Sequence, residues 1–477
     1  MSKNEGKDKK KYSFDKILKK FRAHGQIVIV GASLAGLRAA EALREMGFEG
    51  SLTIIGDEPH EPYDRPPLSK QVLKGWVPAN HTKLPRLRRV DADWKLGVAA
   101  VGLDRINHLV KLGNGEEVSY DRLLIATGTR ARPWPNPAEG ALQGVFTVRT
   151  VEDATGLSAA LRDEPRRVLI VGSGFVGSEI ASVCRDLDLP VTVTERGSGP
   201  LRGALGGVIS DIAAGMMRDA GVDLRTGVSV KALHGGSGAD SGHVRSATLS
   251  DGTELDVDVV IPSLGSIRNV EWLEGSGLAA GPWGIGCDAG CRAYDINGVV
   301  TDHIFVAGDI ARAPHVLYGY EYLALEHWDN AVSGAEVAAN NILHLEVGRR
   351  AHLPLPSFWS GQFGVNIKSV GVCSFGDEIV FTQGSPQDRR FAAAYGKNGR
   401  IVGAVTFNHG KWLPHYAELI ERSAPFPPPP PGYDRPTENE VMPARFPDPR
   451  EPAGNPDVVL TGHDPTDRQA EFRPRSH

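Results

Sequence analysis

Two glycine-rich turns carry the residues whose types and spacing suit chemistry. The first, Gly31-Ala-Ser-Leu-Ala-Gly36, follows the apolar run Gln26-Ile-Val-Ile-Val30, and the segment from Leu34 to Met46 has helical spacing and alanine-rich propensity. The run reads as a buried parallel strand. Gly31 permits a tight turn and Gly36 lets the helix pack close to the strand. The free backbone N–H groups at Ser33, Leu34 and Ala35 can then hold a pyrophosphate. Ser33 stands where the pattern has its middle glycine. A second run, Leu52-Thr-Ile-Ile55, ends at Gly56-Asp57-Glu58, where Asp57 or Glu58 would bond the hydroxyls of an adenosine ribose. An ordinary strand-helix-strand unit without a ligand is the competing reading.

The pattern returns complete at Val168-Leu-Ile-Val171 and Gly172-Ser-Gly-Phe-Val-Gly177. Gly172, Gly174, Phe175, Val176 and Gly177 form the turn, a helix is expected from Ser178 to about Leu187, and Val191-Thr-Val-Thr194 leads to Glu195. An acid there accepts bonds from both ribose hydroxyls and repels a 2′-phosphate, which favours NADH over NADPH. Arg196 beside it keeps NADPH open. Two nucleotide sites, one interrupting the other, suggest two cofactors that pass electrons between them.

Elements must position these turns, and the chain is long enough to supply them. Its 477 residues imply about three domains, and 41% hydrophobic against 23% charged residues fits a globular body. No run approaches the ~18–20 apolar residues of a membrane span, and the N-terminus lacks a signal-peptide core, so a cytoplasmic location is expected. Cys184, Cys287, Cys291 and Cys373 are too few for a disulfide framework. Cys287 and Cys291 could be metal ligands or a redox couple, but no second ligand pair follows, and a plain loop with no metal is expected. Residues 1–25 carry nine Lys or Arg against three Asp or Glu, a charge of +6, which leaves −11 elsewhere in a chain of −5. An acidic body argues against nucleic acid as partner. In the basic arm Phe14, Ile17, Leu18 and Phe21 share one helical face, suited to packing on the body or to touching a membrane surface or a partner. After Ser423 the composition turns to Pro, Asp, Arg and Glu, with five prolines at 427–431, and the tail is expected not to pack.

Two further segments resemble parts of the two-dinucleotide-domain flavoprotein fold. Tyr120-Asp-Arg-Leu-Leu-Ile-Ala-Thr-Gly128 is similar to the strand and turn where the chain leaves an FAD domain, and Ile304-Phe-Val-Ala-Gly-Asp309 to the later strand whose Asp contacts the flavin ribityl chain. Within that fold, Glu61-Pro-Tyr-Asp-Arg-Pro-Pro-Leu-Ser-Lys70, Glu271-Trp-Leu-Glu-Gly-Ser-Gly277, Leu325-Glu-His-Trp-Asp-Asn-Ala331 and Phe358-Trp-Ser360 closely resemble the ferredoxin reductase components of bacterial P450 and ring-hydroxylating oxygenase systems. The resemblance runs from about Gln26 to the low 420s. It implies an α/β fold of two nested Rossmann-like domains plus a C-terminal α+β domain, with flexible ends. The expected divisions are a basic extension at 1–25, an FAD domain at 26–132 and 265–345, a NAD domain at 133–264, an interface domain at 346–424 and a disordered tail at 425–477.

The chemistry of the residues supports the same roles. Arg65 offers a fork of donors for the FAD pyrophosphate, Pro66-Pro67 stiffens its loop, and Lys70 is expected at the start of a helix. The resemblance implies that Lys70 lies near flavin N5, paired with Glu179, and that Trp328 lies near the flavin ring. Those three are the candidate catalytic residues. It adds Thr127, Gly128, Arg130, Gly265, Gly308, Asp309, Glu326 and His327 to the cofactor contacts, with His327 not expected to be catalytic. Trp359 is either placed likewise or packs in the core.

No reactive cysteine pair stands where disulfide reductases of this fold place one. The implied activity is an FAD-dependent NADH oxidoreductase that passes single electrons to a small iron–sulfur protein, a ferredoxin or rubredoxin. Two positions depart from the family: Ala324 where an arginine is usual two residues before Glu-His-Trp, and Gly361 where an Asp usually follows Phe-Trp-Ser. They leave open a small-molecule acceptor such as a quinone, a nitro compound or oxygen. The basic arm and proline tail leave open a redox-responsive binding protein like the apoptosis-inducing flavoproteins. The oligomeric state is not set by the sequence; a homodimer is one arrangement open to it.

Overall fold

The computed structural model describes residues 16–238, 241–345, 347–429, 434, 436 and 440–447, and the backbone alone of 457–461 and 469–473. Strand β1 (Gln26–Val30), helix α1 (Leu34–Glu45) and strand β2 (Ser51–Gly56) form the first strand-helix-strand unit. In the sheet, β1 lies between β2 and Arg122–Ile125, parallel to both, with Ile29 opposite Ile54 and Leu124. Asp93–Leu96 and Val300–Val306 extend it in parallel, and Arg292–Tyr294 closes one edge antiparallel. Buried on both faces, β1 shows no polar alternation, as parallel strands require.

The second unit repeats the design in a four-stranded parallel sheet built around β3 (Val168–Val171), α2 (Phe175–Asp186) and β4 (Val191–Glu195), with α3 (Arg202–Asp219) following. Helix α2 starts at Phe175 rather than at the expected Ser178, because the last residues of the turn themselves form its first turn. The chain then returns to the first sheet and enters α4 (Trp328–Ile342). This helix packs on α1 through Ala335, Ala338 and Ala339, whose small side chains let two helices approach closely. The C-terminal sheet begins at β5 (Ser357–Gln362), includes β6 (Glu378–Ser385), and is backed by a helix at Leu413–Glu421.

Both ends behave in instructive ways. Residues 16–24 are helical, and Phe21 packs on Phe48 with ring centroids 5.7 Å apart under the Arg122 guanidinium. The arm therefore docks on the body through Phe21, while Ile17 is exposed; Phe14 falls outside the described residues. The expectation that nothing packs after Ser423 is corrected: β7 (Met442–Pro443) adds antiparallel to β6, and Ala444 is fully buried. The polar composition of the tail as a whole hides a local group, Val441, Met442, Ala444 and Phe446, apolar enough to dock.

At Gly36 the close approach of α1 to β1 is literal, since a Cβ there would lie 1.9 Å from the Gly31 carbonyl oxygen. Gly36→Ala is expected to cost about 1–3 kcal/mol of stability by overpacking. Denaturant unfolding of the cofactor-free protein checks this, and an unchanged midpoint would contradict the packing.

Candidate functional site

A cleft of about 320 Å³ lies where the two nucleotide-binding units and the C-terminal sheet meet. The start of α1 (Ser33, Leu34, Ala35), the turn at Thr127–Gly128, Gly308–Asp309 and Glu326–Trp328 line it from the first unit. Phe175, Val176 and Glu179 line it from α2, and Phe358 and Trp359 from the C-terminal sheet.

The helix starts fit a dinucleotide. No side chain caps α1 at Ser33 or α2 at Gly174, so their first N–H groups are left for another acceptor. A Cβ at Gly174 or Gly128 would meet no atom within 4 Å, so open space adjoins the backbone there. Gly31 and Gly172 hold φ of 122° and 102°, which favours glycine.

The centre of the cleft is the Glu179 carboxylate, which three side-chain donors meet. Lys70 Nζ lies 2.6 Å from Glu179 Oε2, Ser69 Oγ donates to the same oxygen at 2.7 Å, and Ser360 Oγ donates to Oε1 at 2.7 Å. Glu179 is 5% exposed. Contrary to expectation, Lys70 does not begin a helix but closes the short 3-10 turn Pro66–Ser69. The two prolines start that turn, and Lys70 follows it with φ −131° and ψ −92°, its ammonium meeting Glu179 of α2.

Trp328, the first residue of α4, donates from Nε1 to Asp64 Oδ1 at 3.0 Å and meets Trp359 edge-on at 6.4 Å. Burial pushes the Asp64 carboxyl above the usual range, against the bond from Trp328 and the attraction of Lys70. His327 stacks on Phe358, and burial lowers its pKa, so the neutral ring is favoured. Glu326 accepts from Arg268 at 2.6 Å and Ser266 at 2.8 Å, so it has a guanidinium partner even with alanine at 324. Asp309 pairs with Arg149 at 3.0 Å.

At the far end, Arg65 bonds Glu58 at 2.6 Å and the Arg149 carbonyl at 2.6 Å, and Tyr63 also donates to Glu58. Asp57 is exposed and accepts the neighbouring Glu58 N–H. In the second unit Glu195 accepts from Ser173 N–H and Oγ at 3.0 and 2.7 Å and from Gly197 N–H at 2.7 Å, while Arg196 is exposed beside it. Gly265 holds φ 83° just after Val259–Pro262, the edge strand of that unit's sheet, and its carbonyl accepts the Arg132 N–H. Arg130 does not join the cleft: its strand turns the side chain outward, where Glu271 and Asn269 take the guanidinium. Asp64, Ser69, Arg149 and Ser360 were not singled out from sequence. The first two sit inside the quoted Glu61–Lys70 motif, Ser360 ends Phe-Trp-Ser, and Arg149 belongs to no motif.

All four cysteines are free and buried, and burial pushes Cys184 and Cys287 up to about 12. None lines the cleft, so thiol chemistry has no place in it.

Comparison with known proteins agrees with this geometry. A family model described as pyridine nucleotide-disulphide oxidoreductase matches residues 25–335, and one described as reductase C-terminal matches 357–430. The chain is 33% identical to a probable ferredoxin reductase of Castellaniella defragrans, over 80% of this chain and 90% of that protein. It is 32% identical to the ferredoxin–NAD(+) reductase component of an anthranilate 1,2-dioxygenase system of Burkholderia cepacia, over 83% and 94%. Among solved structures, a covalent putidaredoxin reductase–putidaredoxin complex aligns with a TM-score of 0.77 at 30% identity, covering 84% of this chain and 94% of that one.

The raised pKa of Asp64 has a testable sign. A carboxyl whose folded pKa exceeds its unfolded value favours folding most at low pH and loses that contribution as pH rises through the folded pKa. Asp64→Asn keeps an acceptor for Trp328, so it is expected to stabilise the cofactor-free protein at neutral pH. That gain should shrink as pH falls into the carboxylate range, and denaturant titrations across pH check it. A gain that grows on acidification would contradict the assignment.

Proposed function

Because the chain belongs to the pyridine nucleotide-disulphide oxidoreductase family, we propose that it is an FAD-dependent NADH:ferredoxin oxidoreductase. It takes a hydride from NADH and delivers single electrons to a small iron–sulfur protein, a [2Fe–2S] ferredoxin or a rubredoxin, that serves a P450 or a ring-hydroxylating oxygenase. The names of these relatives support the acceptor class. The observation that carries the reading is the convergence of Lys70 from the first nucleotide unit and Glu179 from the second on one cleft.

FAD, when bound, supplies the conversion of a two-electron hydride into two one-electron transfers. The chain's residues bind and orient around that chemistry. The N–H groups at Ser33, Leu34 and Ala35 and the Arg65 guanidinium hold the FAD pyrophosphate, Glu58 the adenosine ribose, and Asp309 the ribityl chain. The turn Gly172–Gly177 holds the NADH pyrophosphate, and Glu195 selects its ribose. Lys70, directed by Glu179, would orient the nicotinamide, and Trp328 would shield the flavin ring and face the acceptor. The free, buried cysteines support a cytoplasmic setting.

Lys70→Ala or Glu179→Ala is expected to slow NADH-driven bleaching of the flavin about 10- to 100-fold, ~1.4–2.7 kcal/mol in the barrier, with FAD retained. Stopped-flow reduction under anaerobic conditions measures this, and wild-type rates in both variants would remove the pair from the mechanism. Glu195→Ala is expected to raise the KM for NADH about tenfold and to narrow the preference over NADPH. An unaltered cofactor ratio would show that the ribose is held elsewhere.

A further inference from the structure

Helix α3 is broken near its start. Gly206 has φ 73° and ψ 172°, which separates the turn Arg202–Leu205 from the long remainder. A break frees backbone groups that would have bonded within the helix, and where they are buried they need other partners. Here the C-terminal part of the chain supplies them. Tyr395, buried in the C-terminal sheet, donates its O–H to the Leu205 carbonyl at 2.7 Å. The Gly207 N–H donates to two carbonyls of the tail, Ala444 at 2.8 Å and Arg445 at 3.0 Å. A Cβ on Gly206 would lie 2.3 Å from the Ala444 oxygen, so glycine is what admits the tail here.

The tail is held firmly where it crosses. β7 pairs with β6, the Ala444 N–H donates to the Asp377 carbonyl at 2.8 Å, and Arg445 pairs with Asp211 of α3 at 2.7 Å. This strap lies beyond residue 430, where the family match ends. It is nevertheless built into a helix of the second nucleotide unit.

The other end of the short turn reaches the nucleotide fingerprint. Leu201, buried with φ 57°, donates its N–H to the Ser173 carbonyl at 3.1 Å, and its own carbonyl accepts from Ala204 and Leu205. Ser173 is the residue whose N–H and hydroxyl hold the Glu195 carboxylate. The piece 201–205 is thus fixed between the strap and the turn Gly172–Gly177.

We infer that the strap at 440–446 positions the NADH-binding turn: by seating Gly207 and the break at Gly206, it holds Leu201 against Ser173 and so keeps Glu195 in place. The strap residues act through α3 and touch no nucleotide themselves. The inference rests on reading the second fingerprint as the NADH site.

Two variants of the FAD-loaded protein test it. One chain ends after Glu440; the other, Ala444→Trp, is full length and cannot seat the strap. In both, the NADH dissociation constant is expected to rise about tenfold, from loss of the bonds that order the turn. FAD content and the reduction rate at saturating NADH are expected to stay within about twofold of wild type. Amide hydrogen exchange at 201–207 is expected to quicken, a change that loss of a distant appendage would not produce. If the truncated chain fails to fold, Ala444→Trp decides. Wild-type NADH affinity in a folded strapless variant overturns the strap's role. A wild-type protein that binds no NADH overturns the underlying reading of the site instead.

Discussion

The Glu179 carboxylate is the constraint around which the molecule is arranged. Removing such a charge from water costs several kcal/mol unless donors replace the lost hydration. Here they come from two other parts of the chain: Ser69 and Lys70 from the loop after β2, and Ser360 from β5. One buried group thereby fixes the relative placement of two nucleotide units and the C-terminal sheet. Deleting Lys70 or Ser360 would leave part of that charge without a partner, so the pair and its supports stand or fall together.

The backbone solves a related problem at each fingerprint. A strand that ends in a glycine turn presents uncapped helix N–H groups to the cleft, and the sheet behind it keeps those groups from moving. The first unit braces its cleft side with the α1–α4 helix pair, whose alanines allow close packing. The second lacks such a partner for α3 near its start, where Gly206 breaks the helix, and the C-terminal sheet and strap supply the bonds instead.

What was legible in the sequence was local. The strands flanking both fingerprints, the glycines at 31, 36, 172 and 177 and the absence of a thiol pair near them all follow from short-range pattern. The Lys70–Glu179 contact joins residues 109 apart and was suggested only by resemblance. Ser360 and Arg149 reach the site through tertiary packing that no spacing encodes. Lys70 was expected to open a helix, but the two prolines before it make a 3-10 turn. Arg130 was expected at the cofactor, but its strand faces the other way, toward Glu271. The average composition of the tail conceals the few apolar residues that dock.

The reading as a reductase rests on Lys70 and Glu179 meeting in one cleft, which Trp328 and the exposed Trp359, an edge-on pair, also line. The most direct test is NADH-dependent cytochrome c reduction by the FAD-loaded protein, with and without a [2Fe–2S] ferredoxin. The result expected is a rate that depends on ferredoxin and saturates with it. Bleaching of the flavin by NADH with no acceleration by a ferredoxin or a rubredoxin would contradict the account and direct the electrons to a small-molecule acceptor.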